Sequence, residues 1–275
     1  MMFKKKIGIM GAMLEEIDGI IDLLTSKKQQ TIGMRTYFSG EINGVETTVV
    51  FSGWGKVAAT ATASILILEF GVTEIIFTGV AGAIHPELTI GDLVLGKRLI
   101  QHDMDARPMM KQYEIPLLNK MFFEMDNLRL SVATNAIKQL LENKNLHDII
   151  PVHVLNEFNI TNPNFLLGDI ASGDKFFSDN EQKNLLHRQL PSVLCVEMEG
   201  AAVAQTCFEH QIPFTVIRVI SDTADDTSPV DFALFTQKVA SVYSTQIIKY
   251  IYNQFSAITN CVSGKDVDNS ISFIS

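Results

Sequence analysis

The hydrophobic and polar positions of this chain follow two periods that alternate along the sequence. Short, nearly continuous apolar runs, of which residues 74–78 are the clearest, are typical of strands buried on both faces. Longer segments repeat their apolar residues at helical spacing, as Leu14, Ile17 and Leu24 do. The pattern predicts strands at residues 6–10, 34–42, 45–52, 74–78, 92–101, 152–155, 166–171, 193–196 and 213–220. It predicts helices at residues 13–24, 56–70, 127–142, 181–188, 201–204 and 232–255.

Strands that alternate with helices in this way predict an α/β fold. We expect a single domain over residues 1–255, with a mixed, mostly parallel central sheet and helices on both of its faces. Asn43-Gly44 lies between two predicted strands and is a strong hairpin signal. Residues 256–275 are predicted to form a mobile C-terminal tail, because their end is rich in Ser, Asn and Asp.

Polar residues collect where the predicted strands end. These clusters are Glu15 and Glu16, Gly79 to Gly82, His102 to Asp105, Ser172 to Asp174, Glu197 and Glu199, and Ser221 and Asp222. Because parallel strands end at one edge of a sheet, where ligands bind in open α/β folds, we expect the clusters to converge on one rim. The segment from Val196 to Glu199 is the most informative, since carboxylates are costly to bury unless something pairs with them. The neighbouring hydroxyls of a sugar would pair with them.

Composition narrows the class of partner. The net charge of -9 argues against nucleic acid and against anionic membrane surfaces. No apolar run approaches the roughly 20 residues of a membrane span, and a buried first strand explains residues 7–13 better than a signal peptide does. Cys195, Cys207 and Cys261 are spaced for neither disulfides nor a metal, so we expect a cytoplasmic protein.

The residues at the strand ends, read one cluster at a time, leave alternatives open. Asp222 ends an apolar run, where partial desolvation would raise its pKa and let it donate a proton. On spacing alone, capping of the next turn by Ser221 and Asp222 is the favoured interpretation. Glu15 and Glu16 suit the start of a helix. Residues 102–105 are interpreted as a hydrogen-bond cluster, and no complete nucleotide-binding motif is present, so we expect neither a metal nor an organic cofactor.

Seven segments taken together carry a resemblance to one family. They are Gly8 to Glu16, Ser52 to Ala59, Thr78 to Gly82, His102 to Asp105, Ser172 to Phe176, Val196 to Glu199 and Arg218 to Asp222. In this order they resemble the 5′-methylthioadenosine/S-adenosylhomocysteine nucleosidases of the purine nucleoside phosphorylase superfamily. The resemblance covers about residues 5–255 and reverses the preference stated for Asp222.

The resemblance implies hydrolysis of the bond between adenine and a 5′-alkylthio-ribose, with a small-molecule substrate and no cofactor. It implies that Asp222, oriented by Ser221, is the general acid that protonates purine N7, and that Glu16 is the general base that activates water. The other implied contacts are Glu199 to the ribose hydroxyls, Met198 to the sugar, Arg218 near the water and ribose, Phe176 stacked on adenine, the backbone of Phe177 at the base edge, Met13 and Phe232 along the sugar and alkylthio group, and Trp54, Val80, Ala81 and Gly82 around the pocket.

The chain departs from the family pattern in three places. Val80 stands where many members have Ser, and Trp54 stands where a smaller aliphatic residue is usual. We expect Trp54 to narrow the alkylthio pocket and to favour methylthioadenosine over adenosylhomocysteine. Residues 107–129 match poorly, although in the family this region helps to form a homodimer. We therefore expect a homodimer in which partner residues near 106–116 close the site.

Three alternatives remain at this stage. A phosphorylase on the same fold would have to bind phosphate, which the carboxylates of Glu15 and Glu16 would repel. A nucleosidase for an aminodeoxyfutalosine-type substrate would use the same chemistry and is left open. A non-catalytic nucleoside-binding protein is disfavoured, because Glu16, Glu199 and Asp222 are all present.

Overall fold

The computed structural model describes residues 5–142, 146–224 and 232–263. Its strands are β1 Lys6–Gly11, β2 Thr25–Ile32, β3 Arg35–Ile42, β4 Val45–Phe51, β5 Glu74–Ala83, β6 Leu93–Gln101, β7 Phe122–Glu124, β8 Phe165–Ser172, β9 Val193–Glu197 and β10 Phe214–Asp222. Its helices are α1 Asp18–Ile21, α2 Lys56–Leu68, α3 Asn127–Glu142, α4 Leu146–Ile149, α5 Val152–Glu157, α6 Asn180–Gln189, α7 Gly200–Glu209, α8 Phe232–Phe235 and α9 Ser241–Ser263, with a π-helical segment Thr236–Ala240 between the last two.

Half of the sheet closes into a barrel, which corrects the expectation of a simple layered sheet. Strands β10, β6, β8, β9 and β5 are hydrogen-bonded in that order, and β5 pairs back with β10. Strands β1, β4, β3 and β2 extend the sheet outward from β5. Among the described strands, five pairings are parallel and five antiparallel, so the sheet is mixed but not mostly parallel. Closing five strands requires the strong tilt typical of barrels.

The central strands are apolar on both faces because helices cover them. Every residue of β10 is buried, and so are the first six of β5. Helix α2 packs against α7, and α3 packs against α9. Their small residues, such as Ala59 and Ala63 of α2, allow close approach to the neighbouring elements. No helix within the described residues combines the length and the apolar character needed to cross a lipid bilayer.

The polar strand ends meet at one place, through a pairing that the sequence did not reveal. Strands β5 and β9 run antiparallel and share only two residue pairs, Gly82↔Val196 and Ala83↔Cys195. Both pairs lie at the C-terminal ends of the two strands. Opposed strands that cross only at their ends bring those ends together, so the clusters converge as expected.

The helix predicted at residues 13–24 is almost absent. Only Asp18–Ile21 is helical, although Ile17, Ile20 and Leu24 are buried as the spacing required. The side chain of Glu16 instead accepts a hydrogen bond from the backbone N–H of Met13, at 2.9 Å. A local bond from a side chain to the backbone competes with the helical ladder.

Three further differences concern short or polar segments. The strand predicted at residues 152–155 is the helix α5, since so short an apolar run carries no reliable period. Strand β2 was not predicted, because nearly all of its residues are exposed and polar. The last helix continues to Ser263 rather than ending at residue 255. The remainder of the predicted tail, residues 264–275, lies outside the described residues.

Candidate active site

The converging strand ends surround a cavity of about 630 Å³. It is lined by Ala12, Met13, Glu16, Trp54, Val80, Ala81, Gly82, Phe176, Ser178, Val196, Glu197, Met198, Glu199, Ser221, Asp222 and Phe232. All the site residues predicted from the sequence are among them except Phe177 and Arg218. The structure therefore brings residues from the ends of β1, β5, β8, β9 and β10 around one space.

Asp222 is the last residue of β10, and its carboxyl group is held on both oxygens. The hydroxyl of Ser221 donates to Oδ2 at 2.8 Å, and the backbone N–H of Ala224 donates to Oδ1 at 2.8 Å. Strand β5 passes directly beside it, since a Cβ on Gly82 would lie 2.9 Å from Asp222 Oδ1. The side chain is 4% exposed and borders the cavity. Asp222 is thus a fixed, buried carboxyl group that faces an open space.

Glu16 reaches the cavity from the turn that follows β1. Its Oε2 accepts from the N–H of Met13 at 2.9 Å, and its Oε1 accepts from the N–H of Val80 at 3.1 Å. Burial of the carboxyl group, which is 1% exposed, raises the pKa of Glu16 to about 7, although the charge of Arg218 opposes the rise. A carboxyl group with this pKa exchanges protons near neutral pH.

Glu199 begins the turn into α7 and faces the same cavity. The backbone N–H of Gly55 donates to its Oε1 at 2.7 Å, which connects it to the start of α2. Burial raises the pKa of Glu199, and the neighbouring carboxylate of Glu197 raises it further. A group of this kind is stabilised when hydroxyl groups of a ligand replace the water that it has lost.

Glu197 has a structural role, and it is a residue for which the resemblance implied no substrate contact. Its Oε2 accepts from Nη2 of Arg218 at 2.6 Å and from the N–H of Gly200, at the start of α7, at 2.8 Å. The hydroxyl of Ser172 also donates to it. Glu197 therefore caps α7 and neutralises a buried guanidinium.

Arg218 lies behind the cavity wall and does not line the cavity, so its position near the water and ribose stays a prediction. Its guanidinium is fully buried, donates to Glu197 and to the carbonyl oxygens of Phe77 and Ile217, and sits over the Phe77 ring. Its charge still acts on the cavity, because it lowers the pKa of both Glu16 and Glu199. Arg218 influences the pKa values of these two carboxyl groups through its electrostatic field and not through a hydrogen bond.

The aromatic residues of the site divide into exposed and buried members. Trp54 is 67% exposed and Phe176 is 56% exposed, so both rings stand at the mouth of the cavity. Phe177 is buried, packs edge-on against His102 at 5.3 Å between ring centroids, and borders a small adjoining cavity of about 30 Å³. Four lining residues were not predicted as site residues: Ala12, Ser178, Val196 and Glu197. The only signal for the first three was their position beside predicted site residues.

The cluster at residues 102–105 forms ion pairs and hydrogen bonds. Asp103 binds Nζ of Lys56 at 2.6 Å, and Asp105 pairs with Arg107. Within the described residues, no group of three His, Cys, Asp or Glu side chains could hold a metal ion. None of the described residues that line the main cavity is basic.

Residues 6–252 match the family described as the phosphorylase superfamily. The 5′-methylthioadenosine/S-adenosylhomocysteine nucleosidase of Shewanella denitrificans is 35% identical to this chain, over 82% of the chain and 90% of the relative. An S-adenosylhomocysteine nucleosidase from Streptococcus pyogenes, solved with 5-methylthiotubericidin, superposes with a TM-score of 0.78 at 31% identity, covering 92% of this chain and 98% of that one. A futalosine hydrolase from Helicobacter pylori gives a TM-score of 0.76 at 33% identity, covering 91% and 98%.

The chain therefore belongs to the phosphorylase superfamily and, within it, to the 5′-methylthioadenosine/S-adenosylhomocysteine nucleosidase family. The resemblance carried by the seven sequence segments is confirmed.

Proposed function

We propose that this protein hydrolyses the N-glycosidic bond of 5′-methylthioadenosine and S-adenosylhomocysteine, releasing adenine and the 5′-alkylthio-ribose. The observation that carries the proposal is that the buried carboxyl groups of Glu16, Glu199 and Asp222, which come from three different strand ends, border one cavity; the fourth buried carboxyl group on its wall, that of Glu197, is paired with Arg218. The named nucleosidases of the same family support it.

Asp222 is the proposed general acid. Breaking the bond leaves negative charge on the departing purine, and a proton given to N7 removes that charge. Ser221 and the N–H of Ala224 orient the two carboxyl oxygens, so the proton donor has a fixed direction before substrate arrives.

Glu16 and Glu199 act on the sugar side. Breaking the bond leaves positive charge on the ribose, which nearby carboxylates favour. Glu16, with a pKa of about 7, is the proposed base that accepts a proton from the attacking water. Glu199 binds the ribose hydroxyls, while Met198, Met13 and Phe232 pack against the sugar and alkylthio group. Phe176 stacks on adenine at the mouth, and the backbone of Phe177 reads the base edge.

Hydrolysis is favoured over phosphorolysis by the charge of the cavity wall. A phosphate-binding site uses arginine or lysine side chains, and the described lining residues include neither. Adenine release should be the same with and without phosphate in the buffer. Formation of a sugar phosphate that depends on added phosphate would overturn this choice.

A second candidate substrate is of the aminodeoxyfutalosine type. The likeness to the futalosine hydrolase of Helicobacter pylori, at 33% identity, favours testing it, and the bond broken is the same kind. Side-by-side assays with equal concentrations of the three nucleosides decide the preferred substrate.

The experiment that tests the proposal compares the wild-type protein with Asp222→Asn. The amide cannot donate the proton, so adenine release from methylthioadenosine should fall by about 10²- to 10⁴-fold. Circular dichroism should be unchanged, which separates loss of chemistry from loss of fold. Near-normal turnover in the variant would refute Asp222 as the acid.

We also propose a cytoplasmic homodimer whose partner subunit closes the cavity mouth with residues near 106–116. Met109 is 86% exposed in this region, and Trp54 and Phe176 leave apolar surface open beside the cavity. Sedimentation analysis of the purified chain tests the dimer: a monomer at micromolar concentration would contradict it.

A further inference from the structure

A chain of hydrogen bonds outside the cavity holds the group that contacts Glu199. The N–H of Gly55 donates to Oε1 of Glu199 at 2.7 Å. The next N–H along the chain, that of Lys56 at the first turn of α2, donates to Oδ1 of Asp174 at 2.8 Å. Asp174 comes from the end of β8, so a distant carboxylate caps α2 immediately beside the peptide group that binds Glu199.

Asp103 completes the connection from the end of β6. Its Oδ1 binds Nζ of Lys56 at 2.6 Å, and its Oδ2 accepts from the backbone N–H of Asp174 at 3.0 Å. Asp103 thus holds both the residue that starts α2 and the loop that carries Asp174. Three rim segments, around residues 55, 103 and 174, are joined into one unit.

The backbone at Gly55 explains why such support is needed. Gly55 has φ +86°, in the left-handed region that glycine tolerates best, and a Cβ there would lie 2.9 Å from Asp174 Oδ1. The close approach of Asp174 and the unusual backbone angle together fix the direction of the Gly55 N–H toward Glu199. A glycine without this support has many other conformations available.

We propose that Asp174, supported by Asp103, is a positioning residue for ribose recognition: it holds the Gly55 peptide group that fixes the carboxylate of Glu199. The proposal rests on the proposed function, in which Glu199 binds the ribose hydroxyls. The effect comes from the fixed backbone and not from the Lys56–Asp103 ion pair, because partly exposed ion pairs contribute little.

The test uses two substitutions and two ligands. Asp174→Ala removes the acceptor, whereas Asp174→Asn keeps an oxygen that can accept from the Lys56 N–H. Binding is measured by calorimetry in an Asp222→Asn background, which suppresses turnover. The ligands are 5′-methylthioadenosine and its 2′,3′-dideoxy analogue, which has no hydroxyl groups for Glu199.

Asp174→Ala should weaken binding of methylthioadenosine roughly five- to tenfold, the size of effect expected for a lost cap, and binding of the dideoxy analogue less than about twofold. Asp174→Asn should restore most of the loss. Asp126→Ala is the matched control, since Asp126 accepts from the Arg129 N–H at 3.0 Å at the start of α3 and borders no part of the cavity.

Equal losses for both ligands, unchanged binding of methylthioadenosine, or the same loss in Asp126→Ala would each overturn the proposal. Failure of the proposed function is seen separately, as absence of adenine release by the wild-type protein.

Discussion

Replacing Glu16 with Gln should change how stability depends on pH. In the folded chain the pKa of Glu16 is about 7, against an ordinary value of 4.5, because burial disfavours the ionised form. The folded state therefore holds the proton more tightly than the unfolded state does. The stability that this proton supplies is complete below pH 4.5 and is lost as the pH rises to about 7.

The size of the effect follows from the same two values. Their difference, at about 1.4 kcal/mol per pH unit, gives about 3 kcal/mol. The side chain is only 1% exposed, so solvent screens little of this cost. For a chain of this size, about 3 kcal/mol corresponds to roughly 6 to 12 °C in Tm. Glu16→Gln has no group to ionise at this position. The Tm of the variant minus the Tm of the wild type should therefore increase by that amount between pH 4.5 and pH 8.

The measurement is a series of thermal unfolding curves at several pH values for both proteins. The variant also loses one acceptor for a backbone N–H, which shifts its Tm by a constant amount, so only the slope with pH is compared. Glu15→Gln is the matched control, since Glu15 is adjacent and exposed, and it should follow the wild type. If wild type and Glu16→Gln show parallel pH dependence, burial of Glu16 does not have the assigned cost.

Three other expectations concern activity and the buried ion pair. The kcat/KM of the wild type should fall about tenfold per pH unit below pH 7, as the proposed base Glu16 becomes protonated; a flat profile from pH 8 to pH 5 would contradict this. Trp54→Val should raise the efficiency on adenosylhomocysteine relative to methylthioadenosine by roughly tenfold, and an unchanged ratio would show that Trp54 does not set specificity. Arg218→Met should destabilise the fold by about 3–5 kcal/mol in urea unfolding, because Glu197 keeps its buried charge; adding Glu197→Gln should recover part of the loss, and no recovery would show that the two side chains are not coupled.

The sequence predicted the polar residues of the site better than their surroundings. Glu16, Glu199 and Asp222 could be predicted to lie together because each belongs to a polar cluster at the end of a predicted strand; their roles came from the resemblance and not from spacing. The partners of Glu197 could not be predicted, because Arg218 and Ser172 come from strands that are distant in sequence. The resemblance implied that Arg218 lies close to the water and ribose; the fold adds that its ion pair with Glu197 holds the guanidinium behind the cavity wall.

The fold shows the same division between local and distant information. Strand β10 was evident because it is buried throughout and mostly apolar up to Ile220, whereas β2 is exposed and polar along nearly its whole length. Barrel closure depends on which strands pair, and periodicity carries no information about partners. The helix predicted around residue 16 does not form, because the Glu16 side chain that faces the cavity accepts a hydrogen bond from the backbone N–H of Met13. Helical periodicity therefore failed as a predictor at the site itself.

The narrow contact between β5 and β9 has a consequence for how assembly and activity are related. Gly82↔Val196 is one of only two residue pairs that join these strands, and both residues border the cavity. The segment up to Ala83 and the segment from Val193 are separated by more than a hundred residues of chain. If this seam opens, Gly82, which lies beside Asp222, moves away from Val196, which lies three residues before Glu199. We therefore expect adenine release to fall when this seam opens, so that activity reports on closure of the barrel.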